Sequence, residues 1–163
     1  MKNILIALDY SPTAQRVAQT GDKLAKAMNA RTTLLHVVAD STYYSSLKYS
    51  PILGFDNFSN IKIIQDNTDE QLKIASYKYL DKIKQLLGDE TIQIVVKNGE
   101  CGETILSTAT EFNADIIVMG THSRRGFEKM LLGSIAEDVL RNSLIPLFVI
   151  PIKIIEENDD DRN

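Results

Sequence analysis

The chain has one cysteine, no tryptophan and four prolines in 163 residues. A single thiol, Cys101, excludes an internal disulfide and any metal site built from several cysteines. No apolar run approaches the roughly 18 residues a membrane-spanning helix needs, so no membrane association is expected. The apolar opening run Ile4 to Leu8 stops at Asp9 and is too short for a signal segment, which makes the cytoplasm the expected compartment. A basic excess is missing too: Lys and Arg number 18 against 22 Asp and Glu, for a net charge of −4. Five of those acids sit with one arginine in the tail Glu156 to Asn163, leaving 17 acids and 17 bases in the body. A neutral body does not make a nonspecific nucleic-acid surface. The phosphate-loop signature Gly-x4-Gly-Lys-Ser/Thr is absent, as are the Ser-Gly-Gly-x-Asp-Ser and His-x-Gly-His patterns of nucleotide-consuming enzymes.

What is there is a regular alternation. Asn3 to Leu8 is a nearly all-apolar run, the signature of a strand covered on both faces. Ser11-Pro12 then reads as the opening of a helix reaching about Asn29, with serine as the cap. Thr32 to Val38 is the second strand. Asp40 to Asn67, with Tyr43, Tyr44 and Tyr49, reads as a long loop or lid. Thr68 and Gln71 have capping-box spacing at the head of a helix ending at Leu87, with Gly88 just beyond it. Ile92 to Val96 is the third strand, Glu103 to Phe112 a helix, Asp115 to Met119 the fourth strand, Ser134 to Ser143 the last helix, and Pro146 to Ile150 the fifth strand. Such alternation specifies an α/β domain with a parallel sheet, whose ligands sit at the carboxyl ends of strands. Residues 1–155 are expected to form one domain, and residues 156–163 a solvated acidic tail.

The stretch Gly120 to Ser134, GTHSRRGFEKMLLGS, lies between the fourth strand and the last helix. Free backbone N–H groups, the positive end of a helix dipole, Arg124 and Arg125 come together there, and that combination suits phosphate. His122 offers a donor or acid in the same loop, or an ordinary surface histidine. Asp9, at the end of the first strand, suits a ribose hydroxyl or a magnesium ion, or else a cap for the helix that follows. Cys101 has no resolving partner and reads as a packed or loop residue. Leu147, Phe148, Val149 and Ile150, followed by Ile152, continue apolar past Pro151 on an expected sheet edge, which points to a homodimer joined there.

These motifs resemble the universal stress protein family, whose ATP-binding members carry Gly-x2-Gly-x9-Gly-Ser/Thr after the fourth strand. Here the pattern reads Gly120, Thr121-His122, Ser123, nine residues, then Gly133-Ser134, so Ser123 stands where the family has its second glycine. NILIALD, LLHVV, ADIIVMGTH and LLGSIAEDVLRNSLIPLFVI are similar to the family's first, second and fourth strands and its closing helix and strand. The resemblance implies a Rossmann-like sheet of order 3-2-1-4-5 with helices on both faces, and a homodimer commonly joined through the fifth strands. In a subset it also implies bound ATP, with Mg2+. Carried over by position, Asp9 would face the adenosine part and the Val38 backbone the adenine, with Ala7, Leu8 and His122 also in the nucleotide site. Met119 and Gly120 would border ribose and phosphates, and Ser123, Arg124, Gly133, Ser134 and Ile135 would surround the triphosphate. The expected function is an ATP-binding regulatory module of the stress response, not an enzyme beyond slow ATP hydrolysis. The alternatives are a nucleotide-free interaction protein, which Ser123 keeps open, and a weak ATPase.

Overall fold

A computed structural model describes residues 1–11, 13–39, 69–121 and 133–152. Its strands are β1 (Lys2–Ala7), β2 (Ala30–Val38), β3 (Gln93–Asn98), β4 (Ile116–Gly120) and β5 (Leu147–Ile150). The helices between them are α1 (Ala14–Ala27), α2 (Asp69–Leu87), α3 (Cys101–Glu111) and α4 (Ser134–Asn142). All five strands run parallel in the order β3-β2-β1-β4-β5, the expected order. β1 lies at the centre, with Ile4 paired to Thr32 of β2 on one side and Ile116 of β4 on the other.

The near-continuous apolar runs are explained by helices on both faces of the sheet. Alternate side chains point to opposite faces of a strand. Ile4, Ile6 and Leu8 therefore join Leu34, Val38, Val118 and Ile150 in a layer with Val17 and Ala18 of α1 and Leu80 and Ile83 of α2. Leu5, Leu35, Val37, Ile117 and Met119 face the other way, onto Ile105 and Ala109 of α3 and Ala136 and Val139 of α4. Burying each such aliphatic side chain contributes about 1.5–3 kcal/mol. The α1 layer is closely spaced because Gly21 presents no side chain to Ile6 and Val118; a Cβ there would lie 2.7 Å from Ile6 Cδ1.

Element ends depart from expectation for identifiable reasons. α1 opens at Ala14, not at Ser11-Pro12. Thr13 occupies the cap position without a side-chain cap, because the Ser11 hydroxyl pairs with Thr13 Oγ1 at 2.9 Å and the Ser11 N–H goes to Asp9 Oδ1 at 2.9 Å. α3 starts two residues earlier than expected, since Glu100 caps it by accepting from Gly102 N at 3.1 Å and Glu103 N at 2.7 Å. β3 extends to Asn98 because β2 offers partners as far as Val38. α2 ends as expected, with Gly88 in the left-handed region at φ +66°. Pro12, the capping box of Thr68, the tyrosine-rich segment and the acidic tail lie outside the described residues.

Candidate functional site at the carboxyl edge of β1 and β4

The order β3-β2-β1-β4-β5 reverses direction at β1: the chain leaves β1 toward β2 on one side and later crosses to β4 on the other. The chain leaving β1 packs as α1 on one face and the chain after β4 packs as α4 on the other, so the carboxyl edge between them is where open α/β sheets place their ligand crevice. Ala7 and Asp9 are half-buried there, while Leu8 is buried against the α1–α2 layer. Met119 is buried on the opposite face, and Val38 ends β2 beside them. α4 begins after β4 with Gly133 as its cap (φ −63°, ψ 155°), and no side chain caps it from that position. Ser134 is exposed at its first turn, and Ile135 packs into the cluster that holds Met119. The sheet thus brings Ala7, Leu8, Asp9, Val38, Met119 and Gly120 to one edge. His122, Ser123, Arg124 and Arg125 lie outside the described residues.

Gly120 has an internal reason to be glycine. A Cβ on it would collide with Ile152 Cδ1 and would lie 2.9 Å from Val17 Cγ2. Ile152 is held in that place by its N–H bond to Thr121 Oγ1 at 3.1 Å, and Thr121 N donates to Ile150 O at 3.0 Å. The hydrophobicity beyond Pro151 is thus used, at Ile152, by the chain's own core. The same holds for part of the expected dimer surface. Ile150 is buried, Leu147 and Val149 pack half-buried against the α3–α4 layer, and Phe148 is the outward residue at 40% exposure. Leu144, fully exposed, and Leu140 are further apolar residues at the surface.

Behind Asp9 lies a polar cluster that pattern reading missed. Tyr79 of α2 donates its hydroxyl to Asp9 O at 2.6 Å, and His36 of β2 has Nδ1 2.8 Å from Leu8 O. Ser76 donates to Leu72 O at 2.7 Å, so the 2.5 Å contact between Tyr10 OH and Ser76 Oγ has the phenol as donor. The rings of Tyr10 and His36 stand 4.2 Å apart, and those of Tyr10 and Tyr79 4.9 Å. Burial holds the His36 pKa below its ordinary value, against the opposing effects of the Leu8 bond and the Asp9 charge. Burial, then the charges of Asp9 and Tyr10, push the Tyr79 phenol up, so it keeps its proton and stays a donor. The signal in the sequence was the lone histidine inside the apolar run LLHVV.

Cys101 is the first residue of α3, half-buried, its thiol pushed up to about 11 by burial and then by Glu100 and Asp9. At neutral pH it remains a thiol and a poor nucleophile. Among the described residues no group of three or more His, Cys, Asp or Glu is arranged to hold a metal ion, and no described helix is long and apolar enough to cross a membrane.

The pattern that defines the Universal stress protein family matches residues 1–151. The chain belongs to the universal stress protein family. Universal stress protein MJ0531 of Methanocaldococcus jannaschii is 29% identical over 151 residues, covering 91% of this chain and 81% of its own. The solved structure of MJ0577, a universal stress protein of the same organism, superposes with a TM-score of 0.65 at 26% identity, covering 94% of this chain and 97% of that one. A universal stress protein of Archaeoglobus fulgidus, solved in complex with dAMP, shares the fold at a TM-score of 0.58 and 19% identity, covering 94% and 98%. Family members of this fold thus include one that holds an adenine nucleotide.

Proposed function

We propose that this universal stress protein is an ATP-binding regulatory module whose occupancy alters a dimer or partner surface. The observation that supports the reading is that β1 and β4 lie side by side at the switch in strand order, with Ile135 at the head of α4 packed on the cluster that holds Met119. The Asp9 turn ends β1, Gly120 ends β4, and α4 opens with an N-terminus headed by Gly133. A helix N-terminus without a side-chain cap favours phosphate oxygens. A half-buried carboxylate suits a ribose hydroxyl. In this reading Asp9 takes the ribose, the Val38 backbone meets the adenine, and Ala7, Leu8, Met119 and Gly120 wall the nucleotide. His122, Ser123, Arg124, Gly133, Ser134 and Ile135 surround the triphosphate, with which Mg2+ arrives. The dAMP complex of the Archaeoglobus fulgidus relative supports the ligand class. The protein is a cytoplasmic homodimer joined along β5, with Phe148 as its outward apolar residue, and it acts through binding rather than turnover.

Ser123 favours a second reading, a nucleotide-free interaction protein, because a serine replaces the second glycine of the family motif. Heat denaturation of the purified protein separates the two. Under the first reading the supernatant carries adenine nucleotide, visible at 260 nm because a chain without tryptophan absorbs weakly at 280 nm. Added ATP-Mg at 100-fold above Kd then stabilises by about 2.7 kcal/mol. A nucleotide-free supernatant and an unmoved melting temperature would leave the second reading standing.

A further inference from the structure

The β1–α1 turn is gripped from behind at two successive carbonyls. Tyr79 donates to Asp9 O at 2.6 Å, and His36 reaches Leu8 O at 2.8 Å. A carbonyl only accepts, so His36 Nδ1 carries the proton and Nε2 is the bare nitrogen. That Nε2 is buried with no hydrogen-bond partner among the described residues, on a residue only 3% exposed. An apolar side chain at this position of the core would avoid the cost of an unpaired buried acceptor. What the histidine supplies in return is one fixed donor on Leu8 O.

The two carbonyls are not equivalent to any other pair. Leu8 C=O belongs to the peptide plane before the Asp9 Cα, and Asp9 C=O to the plane after it. Each peptide unit is rigid, so the conformation at Asp9 is set by the orientation of these two planes. Tyr79 and His36 hold both. Asp9 Oδ1 is also engaged, by the Ser11 N–H at 2.9 Å, which fixes the side chain in front of the turn while the carbonyls are fixed behind it.

We propose that Tyr79 and His36 are positioning residues of the nucleotide site, orienting the Asp9 carboxylate by holding the peptide planes on either side of it. The proposal rests on Asp9 being the ribose acceptor, as argued above. α2, through Tyr79, and β2, through His36, thereby act on a ligand neither of them needs to touch.

The test uses the full chain and ATP-Mg, with binding read by calorimetry and the Asp9 carboxylate read by the Ser11 amide resonance in nucleotide-free protein. Tyr79→Phe removes one hydroxyl and no volume from the core; it is expected to weaken ATP binding about 3- to 10-fold and to shift the Ser11 amide. His36→Leu is expected to do the same, and His36→Asn, whose amide keeps a donor near Nδ1, to restore most of the affinity. Ile83→Val, which trims a buried side chain of α2 and touches neither hydrogen bond, is expected to lower the melting temperature and leave affinity within about 2-fold. Wild-type affinity in Tyr79→Phe and His36→Leu, with an unmoved Ser11 amide, overturns the proposal. Equal losses in Ile83→Val overturn it as well, because the effect would then follow stability alone. If the wild type binds no ATP-Mg, the nucleotide reading fails and the proposal with it, while the Ser11 amide still reports whether Tyr79 orients Asp9.

Discussion

The two strand ends that frame the crevice are built in opposite ways. The β1 end is held by polar side chains: Tyr79 and His36 on its carbonyls, with Tyr10 tied through Ser76 to α2. The β4 end is held by apolar contact, Ile152 and Val17 filling the place of a Gly120 side chain, and then gives way to a helix headed by bare backbone. Hydrogen bonds fix direction, whereas close packing fixes distance. The turn at Asp9 is thus fixed mainly in direction, and the strand end at Gly120 mainly in distance.

Three perturbations break or sharpen this contrast. Gly120→Val has the largest expected effect on stability, because overfilling a packed site costs about 1–3 kcal/mol. The melting temperature should fall by roughly 2–4 °C per kcal/mol in a domain of this size. A wild-type melting curve would show that the β4 end is not governed by packing.

The β1 end should instead respond to pH. His36 has a folded-state pKa below the ordinary 6.5, so above that value neither folded nor unfolded chain binds the proton and stability is level. As pH falls below about 6.5 the unfolded chain takes up a proton that the folded chain refuses, and stability drops by up to about 1.4 kcal/mol per pH unit until the folded pKa is reached. The groups facing the ring are Tyr10 and Tyr79, with Asp9 contributing an opposing charge. Urea midpoints between pH 5 and 8 should show this slope in the wild type and its loss in His36→Asn.

The smallest effect on stability separates the two roles of α4's first turn. Gly133→Asp places a capping carboxylate there and should stabilise the fold by a few tenths of a kcal/mol. The same charge should repel the triphosphate and lower ATP affinity about tenfold or more. Calorimetric binding and a melting curve on one sample check both signs at once.

The parallel sheet and its covering helices were legible in the sequence because apolar runs, Gly88 and the strand–helix alternation all agree with tertiary packing, while the strand order came from the family resemblance. The end of β3 was not, since pairing with β2 rather than local pattern decides it. The start of α3 was missed because a glutamate, Glu100, does what serine or aspartate usually does at a cap. Gly120 was legible as a motif glycine, but its contact with Ile152 spans 32 positions and leaves no local trace. His36 carried a visible signal as the one titratable residue in LLHVV, yet its partner carbonyl belongs to another strand.

The contact between Ile152 and Gly120 also sets an order of completion during synthesis. The two side chains that grip the β1 turn are both present once Tyr79 has been made, although β1 itself still awaits β4. The β4 wall stays open until residue 152 has emerged and donated its N–H to Thr121 Oγ1. The grip on the β1 turn therefore draws on the first half of the chain, whereas the packing at Gly120 is completed only by residue 152.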